Sequence, residues 1–422
     1  MKKFLHLWLW LLCGLSAAIL PAANPPVSRV YVDADATGAN DGSSWTDAYT
    51  SLQDAIASAA DTIFVAAGTY KPSTTDNQGE YFYVTTGKKI FGGFAGTEAW
   101  LTQRNIAANP TILSGDIGVP NDNSDNSDIV IRFYLTPAGT RLDGFTVSGA
   151  ENGYTRGALI VNDGEVDVVN CHFENNTAYA GGALGASGAT VNIDHCTFTN
   201  NYGGAGGGAI SGSASVLSVT HSNFLSNTGG DSGGAYFAQD PSAVTFVNCL
   251  FVGNRALNYS GAVMFANGTG TLTNCTVVNN TNREALAFPS GGGVLQNCIV
   301  WNNPNGPGYG FNASHSLIQG GWGGTGNINA DPLFAGANDF HILQCSPAAN
   351  TGDDALVPVG ETTDLDGNPR FFSHPAAARW TWARMSCKTT RSSRWFMTYR
   401  ALPPPARAGQ TLQSRSPTRR WT

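Results

Sequence analysis

Apolar and polar residues alternate along most of this chain. In the stretch Val166–Phe173, Val166 and Val168 flank Asp167, and Cys171 and Phe173 flank His172. A period of two belongs to a strand with one face buried. Gly-Gly and Asn-Asn pairs interrupt the runs, so the strands are short and joined by turns. One segment departs from this pattern. In SLQDAIASAA, Ser51–Ala60, the apolar residues recur at helical spacing behind a Ser, which predicts a short helix.

The alternating stretches are copies of one another. With Cys171 as position zero, the same place is filled by Cys171, Cys196, Ser222, Cys249, Cys275 and Cys298, at steps of 25, 26, 27, 26 and 23 residues. One place earlier stand Asn170, His195, His221, Asn248, Asn274 and Asn297. Two places later stand Phe173, Phe198, Phe224, Phe251, Val277 and Val300. Five places later stand Asn176, Asn201, Asn227, Asn254, Asn280 and Asn303. One unit of two or three short strands cannot bury its own apolar face. Stacked copies can, with each coil hydrogen-bonded to the next at about 4.8 Å. The predicted fold is all-β, a parallel β-helix solenoid of about 10 coils. It occupies residues 24–345, with clear repeats over 140–320 and earlier coils at Thr62–Tyr70, Lys88–Phe94, Thr111–Gly115 and Phe145–Gly149. The short helix, in a segment at about 45–60, is placed to cap the open end of the stack.

Stacking assigns the repeated residues to ladders. The Phe column fills the core. The Asn column bonds amide to amide, and Asn also tolerates the backbone angles of a tight bend. Gly-Gly-Ala segments at residues 181–183, 207–209 and 233–235 suit bends where backbones approach closely. The Cys column reads as buried small fillers. Disulfides between neighbouring rungs are the alternative, although stacked Cβ atoms sit slightly too far apart for them. No zinc-type Cys spacing appears.

Composition and charge narrow the partners. Charged residues make up 13% of the chain, and Gly is abundant at 51 residues. Residues 1–370 hold 13 Lys and Arg against all 30 Asp and Glu, whereas residues 371–422 hold ten basic residues and no acid. The acidic body argues against a nucleic-acid partner. Lys2, Lys3, an apolar run and small residues up to Ala23 form an export signal over residues 1–23. A membrane anchor or a lipoprotein at Cys13 are the other readings; the apolar run is short, and Leu12 stands where a small residue is wanted. No other segment approaches the roughly 20 apolar residues of a span. The mature chain is thus expected to lack a transmembrane segment and to be a monomer.

The stretch YVDADATGANDGSSWTDAYTSLQDAIASA, followed by DTIFVAAGTYKP, resembles the opening of exported right-handed β-helix repeat proteins of Gram-negative bacteria, which share the pectin-lyase-like fold. GGFAGTE and NPTILSGDI fit the same group. The FENN, FTNN, FLSN and FVGN segments, with GGAL, GGAI and GGAY, resemble repeats of polymorphic outer-membrane proteins, which are surface adhesins. DPLF, SPAANTGD and TDLDGNPR resemble a closing module of the choice-of-anchor type over residues 331–371. The resemblance implies a right-handed helix, secreted or held at the outer surface of a Gram-negative cell. Such modules end close to VDIGAYE, but here RWTWARMS, Arg379–Ser386, stands in its place. Read one base earlier, codons for Trp380–Ser386 give a Val, Leu or Met, then Asp, another of those three, Gly, a small residue or Pro, one of Tyr, His, Asn and Asp, and, with an AGY codon at Ser386, Glu. This is the missing motif out of frame. It makes residues 372–422 a frame-shifted, disordered tail, with the shift near Ser373 or His374. A genuine basic tail for anionic surfaces is the alternative, and resequencing the gene decides between them.

Chemistry on such a wall needs outward groups on neighbouring coils. A hydrolase needs a carboxylate pair at set separation, and a lyase a Lys or Arg base beside acids. Asp167 and Asp194 are the candidate catalytic pair, within about 8 Å if both face outward. No Lys lies between Lys89 and the tail, and in the six aligned copies from Cys171 to Asn303 the only Lys or Arg are Arg255 and Arg283. His195 and His221 stack on consecutive rungs and could share a metal. Asn fills that column elsewhere, so they are read as making the same hydrogen bonds, and no metal is expected. Calcium is left open at Asp122, Asp125 and Asp128, a loop that lacks the Gly and closing Glu of an EF-hand. No other cofactor is expected. Trp301, Tyr309 and Trp322 are candidates for stacking on sugar rings, or for burial and capping. Together these features predict a binding or adhesion scaffold for an extracellular polysaccharide or surface glycan. The alternative is a polysaccharide lyase or glycoside hydrolase, whose acid-and-base cluster would have to lie in the less regular coils at 60–135.

Overall fold

A computed structural model describes residues 28–369 apart from Thr155, Gln239 and Gln344. The expected export signal at residues 1–23 and the expected frame-shifted tail at 372–422 lie outside the described residues. Among the described residues, the chain winds through three long sheets of eleven, ten and nine strands. The first runs from Arg29–Val32 to Phe311–Ser314, the second from Gly68–Tyr70 to Leu317–Ile318, and the third from Phe82–Val84 to Gly308–Tyr309. Each full coil adds one strand to each sheet, so nine strands in the third set the stack at about nine turns. Successive coils pair in parallel. A right-twisted strand returning to a parallel neighbour winds right-handed.

Register stacks each copy on its equivalent. Phe173 lies on Phe198, Phe224 and Phe251, and Val277 and Val300 continue the column. The Phe rings are nearly parallel, with centroids 5.0, 4.9 and 4.8 Å apart. A one-residue slip of any strand would turn its apolar set outward, which is why the register is fixed.

The Asn column is fully bonded. Asn227 is buried; its Oδ1 accepts from the backbone N–H and the side-chain amide of Asn201, both at 3.0 Å. Its own amide donates to the Phe198 carbonyl at 2.9 Å and to Asn254 Oδ1 at 3.0 Å. The pattern repeats from Asn176 to Asn280. An amide has two donors and two lone pairs, and this geometry uses all four.

The bends fall elsewhere than expected. Left-handed residues recur one place before zero, from Asn170 (φ 50°) through His195 (53°) and His221 (45°) to Asn297 (53°), and at plus four, as at Asn175 (54°) and Asn200 (55°). Asn176 and its equivalents are not among them. Hydrogen bonding alone accounts for Asn in that ladder, and backbone angle accounts for its neighbours.

Cys171, Cys196, Cys249, Cys275 and Cys298 are buried and free. They do more than fill space. Cys171 Sγ donates to the Val169 carbonyl at 3.2 Å, and Cys249 Sγ to Val247 at 3.3 Å. Ser222 Oγ makes the same bond to Thr220 at 2.7 Å, which explains the Ser in this column.

Both ends are covered. The helix, Leu52–Ala57, is capped by Ser51, whose side chain accepts the Asp54 N–H, and it buries Leu52, Ala55 and Ile56 against the first coils. Gln53 Oε1 takes the N–H of Tyr83 on the edge strand of the third sheet. Buried Lys88 ties down the residues after the helix through the Ser58 and Ala60 carbonyls, each at 2.7 Å. At the far end Trp322 stacks on Phe311 with centroids 4.2 Å apart. The chain then turns back. A hairpin of Phe334–Gly336 with Asp339–Ile342 lays Phe334 and Phe340 on Leu250, Val278 and Trp301. The following segment retraces the bend column, with Asp353 N–H on Asn297 Oδ1 at 2.8 Å and Glu361 on the Asn248 amide at 2.9 Å.

Candidate functional site

The expected carboxylate pair is not brought together on common partners. Asp167 aligns with Asn192 and accepts its amide at 2.9 Å, with Arg141 at 3.9 Å on the other side. Asp194 aligns with Val169 at the end of its strand and turns to the bend, where it meets His195 and His221. In the acidic loop, Asp122 caps a turn through Ser124, and Asp125 accepts the Val119 N–H at 2.7 Å. Burial raises the Asp128 pKa. These three do not form a common ligand group. Of the aromatic candidates, Trp301 packs under the returning hairpin and Trp322 covers the core end. Tyr309 remains exposed on the last strand of the third sheet.

The bend of the two His copies carries the densest group. His195 Nδ1 lies 2.8 Å from one oxygen of Asp194, and His221 Nδ1 3.1 Å from the other. The imidazoles stack with centroids 4.7 Å apart. His221 Nε2 meets Glu361 of the returning segment at 3.1 Å. Burial works to raise the Asp194 pKa, but hydrogen bonds from His195, His221 and Thr220 outweigh it and hold the carboxyl well below its usual range. The hydrogen bond to Asp194 raises His195 in turn. The Asn reading of this column holds in part: Asn170 likewise donates to Asp143 one coil back, at 2.9 Å. An imidazole differs in having a second nitrogen, and here that nitrogen reaches Glu361.

Two groupings escaped the repeat register. Arg104, from an irregular coil, meets buried Asp143 at 2.6 Å, and Arg141 meets the other oxygen at 2.8 Å. Arg141 and Asp143 share a strand face by their spacing of two, which is the sequence signal for half of this cluster. The second grouping is a ridge between the second and third sheets. A fourth parallel row there joins Thr177–Ala180, Tyr202–Gly206, Thr228–Gly229 and Arg255–Ala256. Around it stand Tyr154, Tyr179, Tyr202 and Tyr259, at 94, 50, 40 and 50% exposure, with Leu257. Asp231, Asn258 and Arg255 supply polar groups beside them. Exposed apolar rings gathered in one place on a surface of this kind mark an interaction site.

A family model described as a right-handed beta helix region matches residues 207–320. No curated protein matches the chain. Among solved structures, a rhamnogalacturonan lyase is similar at 15% identity, with 73% of this chain and 90% of that one covered and a TM-score of 0.42. The pectate lyase Pel9A is similar at 17% identity, over 86% of this chain and 94% of the other, with a TM-score of 0.45. PfbA, a surface adhesin of Streptococcus pneumoniae, is similar at 11% identity over 62% and 88%, with a TM-score of 0.27. The chain is a right-handed parallel β-helix, a rigid wall of stacked coils with its returning C-terminal segment laid along one bend.

Proposed function

We propose that this protein is an exported, surface-associated scaffold that binds glycans through the tyrosine ridge. The observation that carries this reading is the gathering of four exposed Tyr on one lateral row of coils. Tyr offers an apolar face to a sugar ring and a hydroxyl to its oxygens. From the coil of Tyr154 to that of Tyr259 the row spans four coil steps, about 19 Å at strand spacing, which suits a polymer better than a single sugar. Tyr179 and Tyr202 stand on strands, with Tyr154 and Tyr259 on the bends beside them, so the centre of the ridge is presented without reorganisation on binding.

Enzymatic turnover of a polysaccharide is the second reading, and Arg141 beside Asp167 is the observation on its side. Its chemistry is unfavourable. The Arg141 guanidinium is bound by Nε and Nη2 to buried Asp143, which ties it into a structural pair and turns those donors away from a substrate. Glycan-array binding of the full chain tests the leading reading. Tyr179→Ala with Tyr202→Ala should lower affinity at least about tenfold, with the circular dichroism spectrum unchanged. Unaltered binding by that double variant would remove the ridge from the account.

A further inference from the structure

We propose that Asp194, His195 and His221 form a binding site for a divalent transition-metal cation of the zinc class, with Glu361 as its outer carboxylate. One ligand atom from each of the three lies within 4.8 Å of the others, the one such group among the described residues. Ligands held at about 2.0–2.2 Å from a tetrahedral ion sit roughly 3.5 Å apart, so modest side-chain rotations close the set.

The orientation of the rings is what a metal site requires. Both imidazoles present Nδ1 to Asp194, each toward a different oxygen. The far nitrogen of His221 lies 3.1 Å from Glu361 and 3.1 Å from the Asn248 amide. Glu361 is held in turn by the Asn248 amide at 2.9 Å. A ligating His whose other nitrogen is fixed by a carboxylate is the arrangement that sets ring orientation and raises ligand basicity. Two nitrogens and one carboxylate suit zinc, cobalt or nickel, whereas calcium and magnesium take oxygen ligands. His195 is half exposed, which leaves room for water as the fourth ligand. The repeat supplies the stacking without disturbing the fold: the bend column places equivalent side chains on adjacent coils, and His195 and His221 are its one consecutive pair of His, the later His315 following Asn297. Glu361 belongs to the returning segment, so the ion would also fasten that segment to the coils.

The full chain, stripped with a chelator and dialysed, is titrated with Zn²⁺ by calorimetry and with Co²⁺ by visible absorption. One equivalent of each and the intense bands of tetrahedral Co²⁺ are expected. His195→Asn and His221→Asn put in the residue that four other rungs carry, so the coils keep their left-handed bend. Each should abolish stoichiometric binding, and Glu361→Gln should weaken it about 10–100-fold. A wild-type chain that takes up neither ion stoichiometrically would overturn the proposal, as would equal affinity in the two His variants. If a variant fails to fold, the wild-type Co²⁺ spectrum alone decides, because an octahedral or absent spectrum contradicts a site of two imidazoles and a carboxylate.

Discussion

Replacing Asn227 by Ala tests what the Asn ladder contributes. The residue is buried, and truncation removes all four of its side-chain hydrogen bonds. Their partners fare differently. Asn254 Oδ1 keeps the backbone N–H of residue 227 at 3.0 Å. The Asn201 N–H and the amide hydrogen of Asn201 that faced Asn227 Oδ1 lose that acceptor in the buried interior. At about 1–3 kcal/mol for each buried orphan, the loss is roughly 2–6 kcal/mol. Asn192→Ala is the control. Asn192 lies on the outer face and donates to Asp167 at 2.9 Å, so its loss should stay within about 0.5 kcal/mol. Urea unfolding followed by far-ultraviolet circular dichroism measures both. Hydrogen exchange at the Asn201 amide reports the local loosening, since each coil depends on its neighbours. An Asn227→Ala midpoint within error of the wild type, or a control that loses as much, would refute the reasoning.

Gly207 has φ of 64°, and a Cβ there would lie 2.3 Å from the Ile210 carbonyl oxygen. Gly207→Ala should therefore cost more than the about 1–2 kcal/mol of a left-handed residue alone, whereas Gly139→Ala, at φ 83° in open space, should cost only that; thermal melts of the two variants compare them. Burial pushes the Cys196, Cys275 and Cys298 thiols well above their usual pKa, so these three should resist iodoacetamide in the native chain and label only in urea; native labelling at any of the three, located by peptide mass spectrometry, would contradict the described packing. Asp143→Asn strips the carboxylate that neutralises Arg104 and Arg141, and should destabilise by about 3–5 kcal/mol in the same urea assay, with a smaller loss counting against a buried pair.

Much of the fold was legible because the sequence states it six times. Alternation set the strands, and the equal spacing of Cys, Phe and Asn set the register that Phe173, Phe198 and Phe224 show in space. The capping helix was legible from one stretch of different period. The bends were misplaced by one residue because Asn serves two purposes, a ladder at Asn176 and a left-handed angle at Asn175, and the letter does not separate them. The tyrosine ridge was hidden for another reason. Tyr154, Tyr179, Tyr202 and Tyr259 occupy different places in their repeats, and the row they line shifts register between Ala178 and Ala180. Glu361 could not be joined to His221 from sequence, because the path of the returning segment follows no period. Asp194 was singled out, but against Asp167, since projection onto the repeat places backbones and not the direction in which a side chain turns.

The most direct test of the central claim is to incubate the full chain with a panel of neutral and acidic polysaccharides and follow binding and breakdown together. The account predicts retention on one or more of these polymers, reduced by Tyr179→Ala with Tyr202→Ala, and no new reducing ends or unsaturated products. Turnover of any polymer by the purified chain would contradict it.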